Sequence, residues 1–393
     1  MNIKSALVIV PVVPHPDASG QTTRARNIMA ALQMNGIRVD VLVLDSATPS
    51  REAETALLQM GMRMRFWHLP RLVKPLASFY SPFPESLKSR LYRNIDRVIE
   101  TLGKHDLYWC DGLAVTSVLP YLPGAKKTIV DFRDALSRLY TQFAGKSSKI
   151  IERFSFRLAA RLRNAGEAHG LRIFTNGAII SEIDRRWFAR FSPDANRLAI
   201  VPLAFPLPKE PAQCHAGECT QWLFTGDLRY LPNLESAKFL NELMSDLLHK
   251  QPDWKLTVVG ALPTNYKFQE LANVSYTGFV ESINPYLKST HAILCPVFSG
   301  TGIKTKVLTA MGSMRPIIAN SIALECIQAV DGTHLLRAEN KNEFISAMRK
   351  LSADPALQIN LSKNAFSLAN DHFSIPAIAR LLKDDLLLES AKT

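Results

Sequence analysis

Short runs of Val, Ile and Leu alternate with longer helical patterns along most of this chain. Ser5–Val10, Arg38–Leu44, Arg63–Leu69, Asp106–Cys110, Thr128–Val130, Leu171–Phe174 and Leu198–Val201 read as strands. Helical stretches such as Thr22–Asn35 and Ser86–Leu102 lie between them. That alternation predicts an α/β fold of parallel strands with crossover helices. The pattern breaks at Pro202–Gly217, where Pro202, Pro206, Pro208 and Pro211 crowd together, and a second alternating set runs from Trp222 to about His334. The organisation expected is a first domain over 1–202, a proline-rich linker over 203–217, a second domain over 218–372 and a terminal segment over 373–393. A last helix spans roughly Ile375–Glu389. No internal repeat is visible. Two doubly wound, Rossmann-like domains facing a cleft are predicted, with ligands at strand carboxyl ends.

The most informative stretch is Pro296–Ile318. An apolar strand, His291 to Cys295, runs into a loop holding Ser299, Gly300, Thr301 and Gly302; a helix then opens with Lys304 and Lys306, and Pro316–Ala319 forms the next strand. Strand, glycine turn and lysine-bearing helix start make an anion cradle, because glycines allow close backbone approach and the helix dipole favours negative charge. The anion expected is a diphosphate. On helical geometry, residues two apart are separated by about 200°, so only one lysine is expected to face it. Lys304, nearer the helix start, is favoured, and Lys306 has the plainer alternative of a solvated helix lysine.

Composition permits this reading. The 393 residues are comfortable for two domains, and the chain is 47% hydrophobic and 21% charged, as globular proteins are. Five cysteines without regular spacing argue against a secreted disulfide framework. Cys214, His215 and Cys219 lack a second pair of metal ligands nearby, so an exposed linker cysteine pair is preferred to zinc. No apolar run approaches the ~20 residues that span a bilayer. Ala6–Val13 leads into Pro14 and Pro16 without a cleavage site, which favours a first buried strand over a signal peptide. A cytoplasmic protein is expected.

The net charge of +12 and pI near 9.5 require a partner or a reason. Lys149, Arg153, Arg157 and Arg161 recur every four residues, beside an apolar row of Ile150, Phe154, Leu158 and Leu162. Two readings stand side by side: a solvated face over a buried one, or peripheral docking on an anionic membrane surface. Nucleic acid is not an expected partner, since no ribonucleoprotein motif, zinc-finger spacing or recognition helix is present.

The Pro296–Ile318 segment resembles the donor-binding signature of the group 1 glycosyltransferases, the retaining sugar transferases of GT-B fold. The likeness continues through Trp222–Asn233 (WLFTGDLRYLPN), Leu256–Gly260 (LTVVG), Val274–Tyr286 (VSYTGFVESINPY) and Asp371-His372-Phe373. In the N-terminal half it is confined to Pro11–Gly36 and a weaker stretch near Asp131. The resemblance implies that Gly226, Arg229, Gly260, Phe279, Ser299, Gly300, Thr301, Gly302, Lys304, Lys306 and Thr309 meet a nucleotide-diphosphate sugar, with Gly20 approaching it from the first loop. A turn glycine before a helix cap is the alternative for Gly20. Asp131 and Asp134, in Val-Asp-Phe-Arg-Asp, stand where the family carries a histidine or carboxylate near the acceptor, and Arg133 takes the histidine's usual place. Either carboxylate would orient or deprotonate the acceptor hydroxyl, or would simply cap the next helix.

The resemblance further implies transfer with retention of configuration to a saccharide or lipid-linked saccharide in bacterial polysaccharide synthesis. It implies no cofactor and no metal, since lysine, arginine and amide dipoles stabilise the leaving diphosphate. The chain also departs from the family. Thr301 and Thr309 replace two glutamates, and Asp227 and Pro232 stand where an Arg and a Lys clamp the diphosphate. Glu325 lies too far along the chain to be assumed a substitute. The alternatives are a sugar-nucleotide epimerase, a non-catalytic relative that binds nucleotide sugar or scaffolds an assembly complex, and a basic surface binder.

Overall fold

The computed structural model describes residues 3–14, 20–45, 51–68, 95–208, 217–264 and 266–387. It divides into two units, Met1–Pro206 with Ser374–Thr393, and Leu207–Phe373. The first unit contains β1 (Ser5–Val10), α1 (Gly20–Met34), β2 (Arg38–Asp45), α2 (Arg51–Gln59), β3 (Arg63–His68), α3 (Ile95–Leu102) and β4 (Leu107–Asp111). After a 3-10 stretch at Leu113–Tyr121 come β5 (Lys127–Asp131), α4 (Leu136–Lys146), α5 (Ile150–Ile173), β6 (Gly177–Ile179), α6 (Glu182–Ala189) and β7 (Ala199–Ile200). Every strand pairs parallel with its neighbours, in the order β3-β2-β1-β4-β5-β6-β7. Ala6, Val8 and Val10 enter one core cluster while Leu7 and Ile9 enter another on the opposite face. A strand buried on both faces has no polar side to keep, which is why β1 reads as an unbroken apolar run.

One predicted strand is a helix. Leu171–Ile173 continues α5, and the strand follows at Gly177–Ile179. A short apolar run does not distinguish the two states. Packing decides it: Gly170 brings α5 against Leu113, whose Cδ2 lies 2.5 Å from where a β-carbon would sit. Gly177 in turn leaves room for Leu198 and Phe132. The predicted helix Ser86–Leu102 is seen from Ile95 onward, and its earlier part lies outside the described residues.

The second unit carries β8 (Gln221–Thr225), α7 (Leu231–Leu247), β9 (Lys255–Val259), β10 (Val274–Tyr276), α8 (Asn284–Ser289) and β11 (Ala292–Cys295). It continues with α9 (Thr305–Gly312), β12 (Ile317–Ala319), β13 (Leu336–Arg337), α10 (Lys341–Ala353) and α11 (Pro355–Phe373). The sheet is again parallel, ordered β10-β9-β8-β11-β12-β13. Trp222, Phe224, Leu256, Val258, Leu294 and Ile318 form the heart of its core.

The first unit extends through Pro206, beyond the boundary drawn at 202, because Leu203 and Ala204 are buried and Asn27 Nδ2 donates to the Ala204 carbonyl (2.7 Å). Residues 209–216, with Pro211, Cys214 and His215, lie outside the described residues. Cys219 is not an exposed linker thiol; it is buried in the second core beside Trp222. After α11 the chain returns to the first unit. Ser374 Oγ accepts the Ala377 amide (3.2 Å) and caps α12 (Ile375–Leu381), and a π-helical turn follows at Leu382–Leu387. Asn35 Nδ2 donates to the Ala379 carbonyl (2.8 Å) and Lys127 Nζ to that of Leu386 (2.5 Å), which hold this segment on α1 and β5.

At the carboxyl edge of the second sheet, Gly226, Gly260 and Gly278 lie in a row. The Gly226 amide donates to the Val259 carbonyl (2.9 Å) and the Gly260 amide to the Gly278 carbonyl (3.1 Å). A β-carbon on Gly260 would overlap the Gly226 carbonyl. Gly260→Ala is therefore expected to destabilise the protein by roughly 3 kcal/mol. Gly278→Ala, at φ 72° but with open space around it, should cost only about 1 kcal/mol. Chemical denaturation of both variants checks the ranking; equal losses would contradict the backbone overlap.

Candidate functional site

Strand order in the second sheet reverses between β8 and β11, and the carboxyl ends of these two strands carry the loops singled out in the sequence. In open α/β sheets that crevice is where ligands bind. Gly226–Tyr230 leads from β8 into α7, and Pro296–Lys304 leads from β11 into α9. Both helices begin without a side-chain cap and without an acidic residue in the first turn. Uncapped amides and the positive end of two helix dipoles thus gather at one edge of the sheet. Gly300 (φ 114°) and Gly302 (φ 69°) occupy backbone conformations open mainly to glycine. Asn320 braces the loop's root, accepting the Val297 amide (3.0 Å) and donating to the Val297 carbonyl (2.6 Å).

The two lysines do not diverge as helical spacing predicted. Lys304 is the extended cap residue (φ −82°, ψ 103°) and the helix starts at Thr305, so the 200° argument does not apply to the pair. Lys304 Nζ turns back to donate to the carbonyls of Gly302 (2.8 Å) and Gly300 (3.3 Å), and lies 3.9 Å from Glu325. Glu325, set aside on chain distance, is thus brought to the loop by the turn after β12. Lys306 is not a solvated helix lysine. Its Nζ donates to Asn233 Oδ1 (2.7 Å) and sits 4.4 Å from the centre of the Phe224 ring. Desolvation by the surrounding protein, helped by the Lys304 charge and opposed by Cys295, holds its pKa down to about 8. Among the described residues Lys306 has no carboxylate partner. Asn233 also donates to the Asp227 carbonyl (2.9 Å) and packs against Gly226, so one side chain joins the β8 loop to α9.

Residues 220–354 match the family model described as glycosyl transferases group 1. This stretch, about a third of the chain, is similar to that family. No curated protein sequence matches the chain. Among solved structures it is similar over nearly its whole length to HepE from Anabaena in complex with UDP, at 13% identity and a TM-score of 0.66, covering 98% of this chain and 99% of that one. A point mutant of S. aureus TarM in complex with fondaparinux, alpha-GlcNAc-glycerol and UDP is similar at 11% identity and 0.68, covering 96% and 98%. WaaG, a glycosyltransferase involved in lipopolysaccharide biosynthesis, is similar at 14% identity and 0.61, covering 97% and 100%. The two parallel α/β sheets are those of the GT-B fold.

Within the matched stretch the remaining expected residues fall into place unevenly. Ser299 is buried and donates to Glu235 Oε2 (2.6 Å), so it braces the loop from α7. Thr301 stands half-buried between the two loop glycines. Thr309 spends its hydroxyl proton on the Thr305 carbonyl one turn back (3.0 Å), leaving only acceptor capacity. Arg229 is exposed and forked onto Asp227 (2.7 Å), which holds the Asp227 carboxyl below its ordinary range. Phe279 stands 77% exposed beside Gly278, a flat apolar face open to solvent among the described residues. Asn233 and Phe224 were contained in the first quoted motif but not recognised as site residues, since only the fold turns Lys306 toward them.

In the first unit, Asp131 is not an open base. It is fully buried at the end of β5, with Arg24 Nε and Nη2 on its two oxygens (2.8 and 3.0 Å) and the Arg133 amide as a third donor (2.9 Å). Asp111 lies directly across from it on β4 and is forked by the Arg133 guanidinium. Arg133 holds this position in the left-handed region (φ 62°), a strained conformation for a side-chain-bearing residue. Asp134 is half-buried, and its negative charge helps raise the pKa of Glu167 and Asp184. Gly20 begins α1 rather than preceding it, and residues 15–19 before it, including His15 and Asp17, lie outside the described residues.

Removing one member of the enclosed Arg24–Asp131 pair should cost roughly 3–5 kcal/mol, because the other charge is left buried. Arg24→Met is expected to lower the melting temperature strongly, and Asp134→Asn to leave it nearly unchanged. Matching melts would remove the structural role assigned to Asp131. A second expectation concerns Glu167, which accepts both the amide (3.2 Å) and the hydroxyl (2.5 Å) of Ser137 at the start of α4. Burial raises its pKa from 4.5 to about 7. The folded state then binds more protons than the unfolded one between these values, so this group's contribution to stability falls as pH climbs from 4.5 to 7. Glu167→Gln should therefore melt higher than the parent at pH values above 7, with the difference closing toward 4.5. A pH-independent difference would contradict the assignment.

Proposed function

We propose that the protein is a retaining, metal-independent glycosyltransferase. It moves a sugar from a nucleotide-diphosphate donor to a hydroxyl of a saccharide or lipid-linked saccharide, in bacterial glycan assembly. The observation that carries this reading is the convergence at the β8–β11 switch point of two uncapped helix starts, a glycine loop and two neighbouring lysines. Among the described residues Lys306 meets a neutral amide and a ring face, so a diphosphate would supply the charge partner they do not. Lys304 would exchange the loop carbonyls, with Glu325 nearby, for a phosphate oxygen. In this reading both lysines and the loop amides stabilise charge developing on the departing diphosphate. The exposed Phe279 offers a face for the base, and UDP is the first nucleotide to test because HepE and TarM were crystallised with it. Asp134, half-buried where Asp131 is sealed, is the carboxylate we assign to the acceptor hydroxyl.

A second reading, nucleotide-sugar binding without turnover, draws on the hydroxyl of Thr309, committed to its own helix, and on Asp227, committed to Arg229. Thermal shift and nucleotide release across UDP-, GDP- and ADP-sugars, with chelator present, separate the two. Release supports the transferase, a shift without release the binding relative, and no shift with any donor rejects both.

The lysine assignment has its own pH signature. Free Lys306 is charged below about 8, so UDP affinity should be highest there and fall as pH rises above it. Lys306→Met is expected to weaken UDP binding about tenfold, the effect of ~1.4 kcal/mol, and to flatten the profile. Calorimetric titration at several pH values reads both, and an unchanged profile in the variant would remove Lys306 from the site.

A further inference from the structure

The apolar row of α5, read from the sequence as either a buried stripe or a surface, is a surface. Ile150 is 75% exposed, Ile151 84% and Phe154 69%, and Leu158 and Leu162 are also open to solvent. The helix does not lack a core contact elsewhere. Phe156 packs on Tyr140 and Phe143 of α4, and Ala160, Glu167 and Leu171 are buried along the same inner face. At about 100° per residue, the five exposed apolar side chains fall within an arc of roughly 120° on the opposite face. Arg161 falls just inside one edge of this arc and Arg157 about 20° outside it, so a cationic row borders the apolar one. Residues 146–163 carry six basic side chains against the single carboxylate of Glu152, which is paired with Lys149 (3.0 Å). Among the described residues Arg153, Arg157 and Arg161 have no carboxylate partner.

We infer that the outer face of α5 docks on an anionic phospholipid surface. A helix lying in the interface buries its apolar row among the acyl chains while arginines along one flank reach the headgroup phosphates. Each basic residue near such a surface adds attraction that falls with salt. Charge complementarity selects this occupant over a second copy of the chain. Isologous pairing of the face would set Arg157 and Arg161 against the same arginines, with no carboxylate to separate them.

The test uses the full chain, without nucleotide, in co-sedimentation with vesicles of phosphatidylcholine alone and of phosphatidylcholine mixed with phosphatidylglycerol. Binding is expected to the mixed vesicles, weakened by salt, and to be much poorer on the neutral ones. Phe154→Ser with Leu158→Ser, and separately Arg157→Glu with Arg161→Glu, should each reduce vesicle affinity about tenfold or more. All four side chains are exposed, so both double variants should keep the parent's melting temperature and its thermal response to UDP. Loss of vesicle binding with that response intact keeps this inference separate from the nucleotide assignment. Equal binding to both vesicle types, or variants that bind as the parent does, would overturn it. So would self-association of the parent that the same substitutions abolish, which would make the face a protein interface.

Discussion

An ammonium group with no carboxylate partner among the described residues organises the second unit. Lys306 projects from the first turn of α9 onto the Phe224 ring, and its bond to Asn233 ties that turn to the loop leaving β8. Asn233 in turn holds the Asp227 carbonyl and fills the space beside Gly226. Two segments joined by residues 73 apart in sequence are thereby set side by side. A carboxylate in Asn233's place would neutralise the lysine and leave no call for an anion. The neutral amide orients the ammonium while preserving its charge, and desolvation makes that charge costly until a ligand meets it. The glycines answer the same constraint from the backbone, since Gly226 and Gly260 pass too closely for either strand end to shift.

The first unit solves a different electrostatic problem. Parallel pairing places Asp111 and Asp131 side by side at the strand ends, where like charges repel. Arg24 and Arg133 alternate with them, and the sequence of charges becomes arginine, aspartate, arginine, aspartate. Arg24 also donates to the Pro202 carbonyl (3.1 Å), so the network reaches the chain's exit from the unit. The strained backbone of Arg133 is the price of directing its guanidinium back to Asp111. A residue that read as a catalytic carboxylate in isolation is thus one corner of a buried lattice, while Asp134, three positions on, retains a share of exposure.

Helix α5 shows how one periodic pattern serves two surfaces. Its inner face carries aromatic contacts and the Glu167 bonds that cap α4. Its outer face repeats large apolar residues that no part of the described protein covers. Amphipathic periodicity normally marks the apolar stripe as the core side. Here the core side is the narrower row of Phe156, Ala160, Glu167 and Leu171, and the broader apolar stripe is left to the solvent.

Sequence by itself determined most of the elements and the glycine loop after β11. Unbroken Val-Ile-Leu runs such as β1 and β2 read as doubly buried strands, and glycines after β8, β9 and β11 mark where backbone passes close to other groups. Those requirements are local, so they are legible locally. Leu171–Phe174 was misread because a four-residue apolar run carries no period of its own, and packing of α5 against Leu113 made it helical. Tertiary structure alone decided which charges are spent and which are kept. Asp131 and Lys306 have similar credentials as residues in a string, yet among the described residues the fold brings Arg24 to one and Asn233 and a ring to the other. Glu325 reaches Lys304, and Phe154 faces water, for the same reason. Charge state and exposure depend on neighbours supplied by distant parts of the chain, and no spacing rule along the sequence encodes them.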